Sequence, residues 1–192
     1  MSARIISLAD CRRHATELRA ERETHDFTII FSQARKLAFQ KDETPQDAFA
    51  VLNWNQLNDW FKHQLTEETF KQKLFSRDVI MSIGFVSEML TSFARNEFPT
   101  MCITDHLEDY ATHGNPQCML KAANVAFLIF AFWPETRPNR PLKYRKYAQE
   151  CGPRLYASYG IESRKMIGCY MSSAFESLGN IAREVARTPL AS

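Results

Sequence analysis

Apolar and polar positions alternate along this chain at steps of three and four, the spacing that puts residues on one face of a helix. One segment breaks the rule. From Ala122 to Trp133 only Asn124 is polar, so apolar groups point all round the helix axis. A helix apolar on every side is surrounded, either by protein or by lipid. The run falls short of the roughly 20 apolar residues that span a bilayer. It opens at Asn115-Pro116, a capping residue followed by proline at the first helical position, and stops at Pro134. The pattern predicts a central core helix over 116–133 with the other helices packed round it.

Those other helices carry recognisable starts. Ser7 heads a stripe of Leu8, Cys11, Ala15 and Leu18, and Thr24 heads one of Phe27, Ile30, Phe31, Ala34 and Leu37. Thr44-Pro45 opens a third helix, expected to reach about Leu65, and Thr66 starts a short piece ending near Phe75. Ser76 caps a long helix whose stripe is Val79, Ile80, Ile83, Val86, Leu90 and Phe93, widened by Met81, Phe85 and Met89. Thr104 opens an acidic helix closed by His113-Gly114. Leu142–Glu150 is expected to break at Gly152-Pro153, leaving a short helical turn to Tyr159-Gly160. A final helix over 163–187 carries Ile167, Met171, Ala174, Leu178, Ile181 and Val185. No strand pattern competes, so the expected fold is all-α: a compact bundle of about seven or eight helices. With 192 residues it reads as a single domain over 1–192, with one proline-rich connection at 134–141.

Composition narrows the class. Hydrophobic content of 45% with 24% charged residues is globular, and six glycines suit long helices. Five cysteines at 11, 102, 118, 151 and 169 form no CxxC pair, and the N-terminus lacks a signal-peptide apolar region. The expected setting is therefore reducing and cytoplasmic, with no membrane span. Net charge is only +2, but residues 135–192 carry ten Lys/Arg against five Glu, while residues 26–134 carry nine against thirteen acids. That asymmetry points weakly to an anionic partner.

Four constellations are candidates for chemistry or recognition. His106, Asp109 and His113 stand at i, i+3 and i+7, so one helical face presents two imidazoles and a carboxylate, ligand types suited to Zn or Fe, with Glu88 as a further ligand. The plain reading is a solvated acidic face with His113 favoured at a helix C-terminus, and no cofactor is predicted. Cys151-Gly152-Pro153-Arg154 has the outline of a redox turn, but Gly-Pro after a helix is ordinary punctuation. Arg137, Arg140, Lys143, Arg145 and Lys146, interleaved with Tyr144 and Tyr147, could contact phosphates and bases, or form a solvated face with inward tyrosines. Gly168, Ser172 and Gly179 are small residues on the last helix, suited to close approach by a second copy or by a neighbour in the same chain.

The aromatic and methionine residues Trp54, Trp60, Phe61, Phe85, Met89 and Trp133 are candidates for a partner groove or ligand cavity, though such residues usually fill a core. The sequence holds no GxSxG, HExxH, Walker A or GxGxxG pattern. The best-supported expectation is an intracellular protein-binding module of regulatory or adaptor type, self-associating as a homo-oligomer. A metal- or cofactor-dependent bundle enzyme using the 104–113 face is one alternative. A nucleic-acid-associated factor using the 137–147 segment is another.

Overall fold

The computed structural model describes residues 52–95, 97, 102–132 and 142–186, with the side chains of 142 and 143 left aside. The described residues form six helices and no strand: α1 (Trp54–Lys71), α2 (Arg77–Ala94), α3 (Ile103–His113), α4 (Pro116–Phe132), α5 (Leu142–Ser163) and α6 (Met166–Val185). The described residues are all-α, as the periodicity predicts. The helices expected from Ser7 and Thr24, the Thr44-Pro45 opening, and most of the 134–141 connection lie outside the described residues.

Helix α4 is the hub. Its buried face runs right round the axis, from Met119 through Ala122, Ala123, Val125 and every residue to Phe132. Each large side chain so buried contributes roughly 1.5–3 kcal/mol. Asn124, the one polar group in the apolar run, accepts a hydrogen bond of 2.8 Å from the Tyr156 hydroxyl of α5. Burial pushes the Tyr156 phenol well above its ordinary pKa, so it stays a neutral donor. Phe127 and Phe130 of α4 and Tyr156 of α5 all pack on the Phe175 ring of α6, with ring centres 5.3–6.1 Å apart.

The helices run up and down. Phe93 near the end of α2 stacks on Phe132 at the end of α4. Arg183 near the end of α6 donates 2.8 Å bonds to the carbonyls of Ala131 and Phe130, the unpaired acceptors where α4 stops. Gln117 at the start of α4 meets Tyr159 near the end of α5, and Arg77 at the start of α2 meets Tyr170 near the start of α6. Helices α2, α4 and α6 therefore point one way and α1, α3 and α5 the other. The connections α1–α2, α3–α4 and α5–α6 all lie at one end, here the hairpin end. Each carries a left-handed residue that turns the chain: Lys73 at φ 57°, Gly114 at φ 64° and Arg164 at φ 55°.

Several sequence expectations need correction. Helix α1 begins at Asn53, whose side chain and that of Gln56 cap each other's backbone N–H groups, and it runs on without a break through Thr66. Thr66 does not start a helix; its hydroxyl bonds back to the Lys62 carbonyl within α1. Helix α3 begins after Cys102, with Thr104 already inside its first turn. Helix α5 does not break at Gly152-Pro153 but continues to Ser163. Gly152 has no room for a side chain, because a Cβ there would collide with the Phe175 ring. That tertiary contact holds the helix across a proline that removes one backbone bond. The Ser76 cap, the Gly114 stop and the Asn115-Pro116 opening stand as expected.

Candidate functional site: the apolar hairpin end

Sequence expectation puts Ile80 and Met81 in the buried stripe of α2. The structure turns both outward. Six large apolar side chains are exposed among the described residues, from Ile80 at 51% to Ile161 at 75%: Phe70, Phe75, Ile80, Met81, Ile161 and Met166. All six belong to the hairpin end. Phe70 closes α1, Phe75 lies in the α1–α2 turn, and Ile80 and Met81 sit in the opening turns of α2. Ile161 and Met166 flank the α5–α6 turn. Phe70 and Phe75 meet edge to face at 5.3 Å, so the tip of the first hairpin is a preformed aromatic knob.

Two contacts bridge these segments. Arg77 donates to the Tyr170 hydroxyl at 3.4 Å and lies over its ring at 5.8 Å, tying α2 to α6. Tyr110 of α3 donates to both carboxylate oxygens of Glu162, at 2.7 and 2.6 Å. That bond to Glu162, ahead of a small burial effect and the carboxylate's charge, raises the Tyr110 pKa. The same segments carry the exposed cations Lys71, Lys73, Arg77, Arg164 and Lys165, of which Lys71 is paired with Glu68 at 3.5 Å. Residues 70–81 and 161–170 hold these five cations against two acids, Asp78 and Glu162. The acidic helix α3 stands on the other side, beside α4 and the end of α5.

The remaining sequence candidates fall elsewhere. His106 is buried at 4% exposure, whereas Asp109 and His113 face solvent, and His113 Nδ1 bonds the Asp109 carbonyl at 3.0 Å. One helical face therefore does not present all three, and no group of three or more His, Cys, Asp or Glu in metal-binding reach exists among the described residues. Cys151 is buried mid-helix in α5, away from any helix N-terminus that would favour its thiolate.

Of the basic segment, Arg137 and Arg140 lie outside the described residues, as does the side chain of Lys143. Arg145 stacks on the Phe130 ring at 5.2 Å, and partial burial lowers its pKa, while Lys146 is exposed. The small residues of α6 are mostly spent inside the chain. A Cβ on Gly168 would stand 2.5 Å from the Tyr156 carbonyl oxygen and 2.6 Å from the Gly160 Cα, and one on Gly179 would stand 2.5 Å from the Phe130 ring. Ser172 is half-buried. Phe61 and Met89 are core, Trp60 packs edge to face on Phe61 at 5.0 Å, Phe85 packs on Tyr156, and Trp133 lies outside the described residues.

One glycine has no such use. Gly84, on α2 one turn beyond Ile80 and Met81, has none of the described residues within 4 Å of where a Cβ would be. Arg77, Ile80, Met81 and Gly84 follow helical spacing, so they share one outward face. Sequence reasoning missed this face because it read Ile80 and Met81 as more of the core stripe. A signal was present: apolar residues at 79, 80, 81, 83, 85 and 86 cover more of the helix than one buried face needs.

No helix of the described residues is long and apolar enough to cross a membrane. Compared with family models, characterised proteins and solved structures, the chain matches none.

Proposed function

We propose that the chain is a protein-binding module of regulatory or adaptor type, and that it engages its partner through the apolar hairpin end. The observation that carries this reading is the segregation of exposed apolar groups. A soluble surface normally scatters single apolar side chains, whereas contiguous patches mark interaction sites. Here all six large ones fall at one end of the bundle. Aromatic residues, methionine and arginine are also the types enriched in protein interfaces. Gly168 and Gly179 are not the surface we propose, because they are buried against α5 and α4; a second copy is one outcome of the test below.

Position-specific crosslinking tests the reading. A photo-reactive side chain at position 81, in the protein expressed in its own cells, should give discrete protein adducts. The same group at exposed Glu108 on α3 should not. An adduct of twice the 22.2 kDa chain mass would identify a second copy as the partner. Equal labelling at both positions, or none at position 81, would remove the proposal.

A further inference from the structure

We infer that the partner is an acidic amphipathic helix laid across the outer face of α2, with its backbone seated over Gly84. This rests on the protein-binding reading above and names the class of partner.

Glycine inside a helix costs about 1 kcal/mol relative to alanine, so each one needs a use. All six glycines of the chain are described, and five have one. Gly114 adopts the left-handed geometry that ends α3. Gly152 and Gly179 admit the rings of Phe175 and Phe130. Gly160 and Gly168 let α5 and α6 touch backbone to backbone. Gly84 and Gly114 both have open space where a Cβ would stand, but Gly84 has no left-handed geometry to account for it, and Ile80 and Met81 stand exposed one turn before it. An outside helix meeting α2 there gains the same close approach that α5 and α6 gain inside the chain. Its apolar side chains then meet Ile80 and Met81, the arrangement of a helix read through i, i+3 and i+4 anchors.

Charge selects which helix. Residues 70–81 and 161–170 carry five cations against two acids; Glu162 already accepts from Tyr110, Lys71 is paired with Glu68, and Glu88 is the acid that continues the outward face beyond Gly84. Lys73, Arg164 and Lys165 make no ion pair among the described residues. A segment with acidic flanks satisfies them and is steered towards them. A second copy presenting the same end brings like charge against like. The acidic helix α3 of a second copy offers carboxylates but none of the large exposed apolar side chains. An anionic bilayer could meet the turn tips at Phe75 and Ile161, but Gly84 lies seven residues along α2 from Arg77, about 10 Å up the flank. A glycine there offers lipid nothing, whereas it offers a helix its closest seat.

The test uses fluorescent synthetic helical peptides with one leucine stripe, flanked either by glutamates or by lysines. Phosphatidylserine and phosphatidylcholine vesicles run in parallel. The full chain should bind the glutamate peptide, with affinity falling as salt rises, and should bind the lysine peptide at least tenfold less well. Met81→Glu and Gly84→Leu should each weaken binding about tenfold or more, the range of a hot-spot residue. Their helical circular dichroism should be unchanged, since neither side chain is needed inside the bundle. Charge reversal by Lys73→Glu with Lys165→Glu should shift preference towards the lysine peptide. Equal binding of the two peptides, binding unaffected by Gly84→Leu, or binding to phosphatidylserine vesicles alone would overturn the inference. If neither peptide binds while position 81 still crosslinks to protein, the partner class is wrong and the binding reading stands. If both fail, both fall.

Discussion

Helix α2 carries one glycine and α6 two, each flanked by apolar side chains, and the two helices put them to opposite fates. On α6, Gly168 is pressed against the backbone of α5, with Gly160 opposite, and Gly179 receives the Phe130 ring. On α2, Gly84 is flanked by exposed Ile80 and Met81, and a Cβ there would meet none of the described residues within 4 Å. The sequence pattern of the two is alike, a small residue within an apolar stripe. Whether a glycine belongs to the fold or to a surface is decided by what stands opposite, and the structure separates the two cases.

Substitutions sharpen that contrast. The largest effect should come from Gly168→Ala. The methyl group would meet backbone atoms of Tyr156 and Gly160, which cannot rotate away as a side chain can. Overpacking of this kind typically costs 1–3 kcal/mol, and the backbone partners place this variant at about 3. Chemical denaturation should show the loss as a lower midpoint. A Gly168→Ala protein as stable as the parent would mean the α5–α6 seam is looser than described.

Tyr156→Phe should come next. It leaves the Asn124 carbonyl oxygen without its 2.8 Å donor in a buried site, at a cost of about 1–3 kcal/mol. The same residue sets an alkaline limit. Its phenol pKa is raised by burial in the folded chain, so above about pH 10 the unfolded chain loses a proton that the folded chain keeps. Stability is thus full below pH 10 and falls as pH rises beyond it. Tyr156→Phe should flatten this fall, and a wild-type protein whose stability is level from pH 9 to 11 would contradict the burial.

Much of this molecule is legible from its residues, for local reasons. The all-round apolar run of α4, the Ser76 cap and the Gly114 stop are each settled by neighbours within a turn or two. What failed depended on distant partners. Gly152-Pro153 reads as a helix end until Phe175 is placed against it, and Thr66 reads as a cap until its hydroxyl is seen to bond Lys62. The site was less legible than the fold. Ile80 and Met81 are as apolar as their buried neighbours, and no local rule says which side of an over-wide stripe faces out. His106 and His113 share a helix, but α3 buries the first and exposes the second.

Smaller effects follow on the exposed side. Gly84→Ala adds a methyl group into open space on a helix and should stabilise the chain by about 1 kcal/mol. A destabilised Gly84→Ala would mean that the site is occupied within the chain. Near the hairpin end, exposed Cys169 should react with a thiol reagent under native conditions well before buried Cys151. Mass spectrometry of briefly labelled protein should find that order, and matched rates would show that α5 opens as readily as the surface.

The most direct test of an outward-facing seat on α2 measures stability and binding in one variant. Gly84→Leu should melt at or above the temperature of the parent chain, because its Cβ meets no neighbour among the described residues and leucine favours helix over glycine, yet should lose the glutamate-flanked helical peptide about tenfold or more. Stability kept and binding lost is the signature of a residue held open for a partner. Parental binding by a well-folded Gly84→Leu protein would contradict the account.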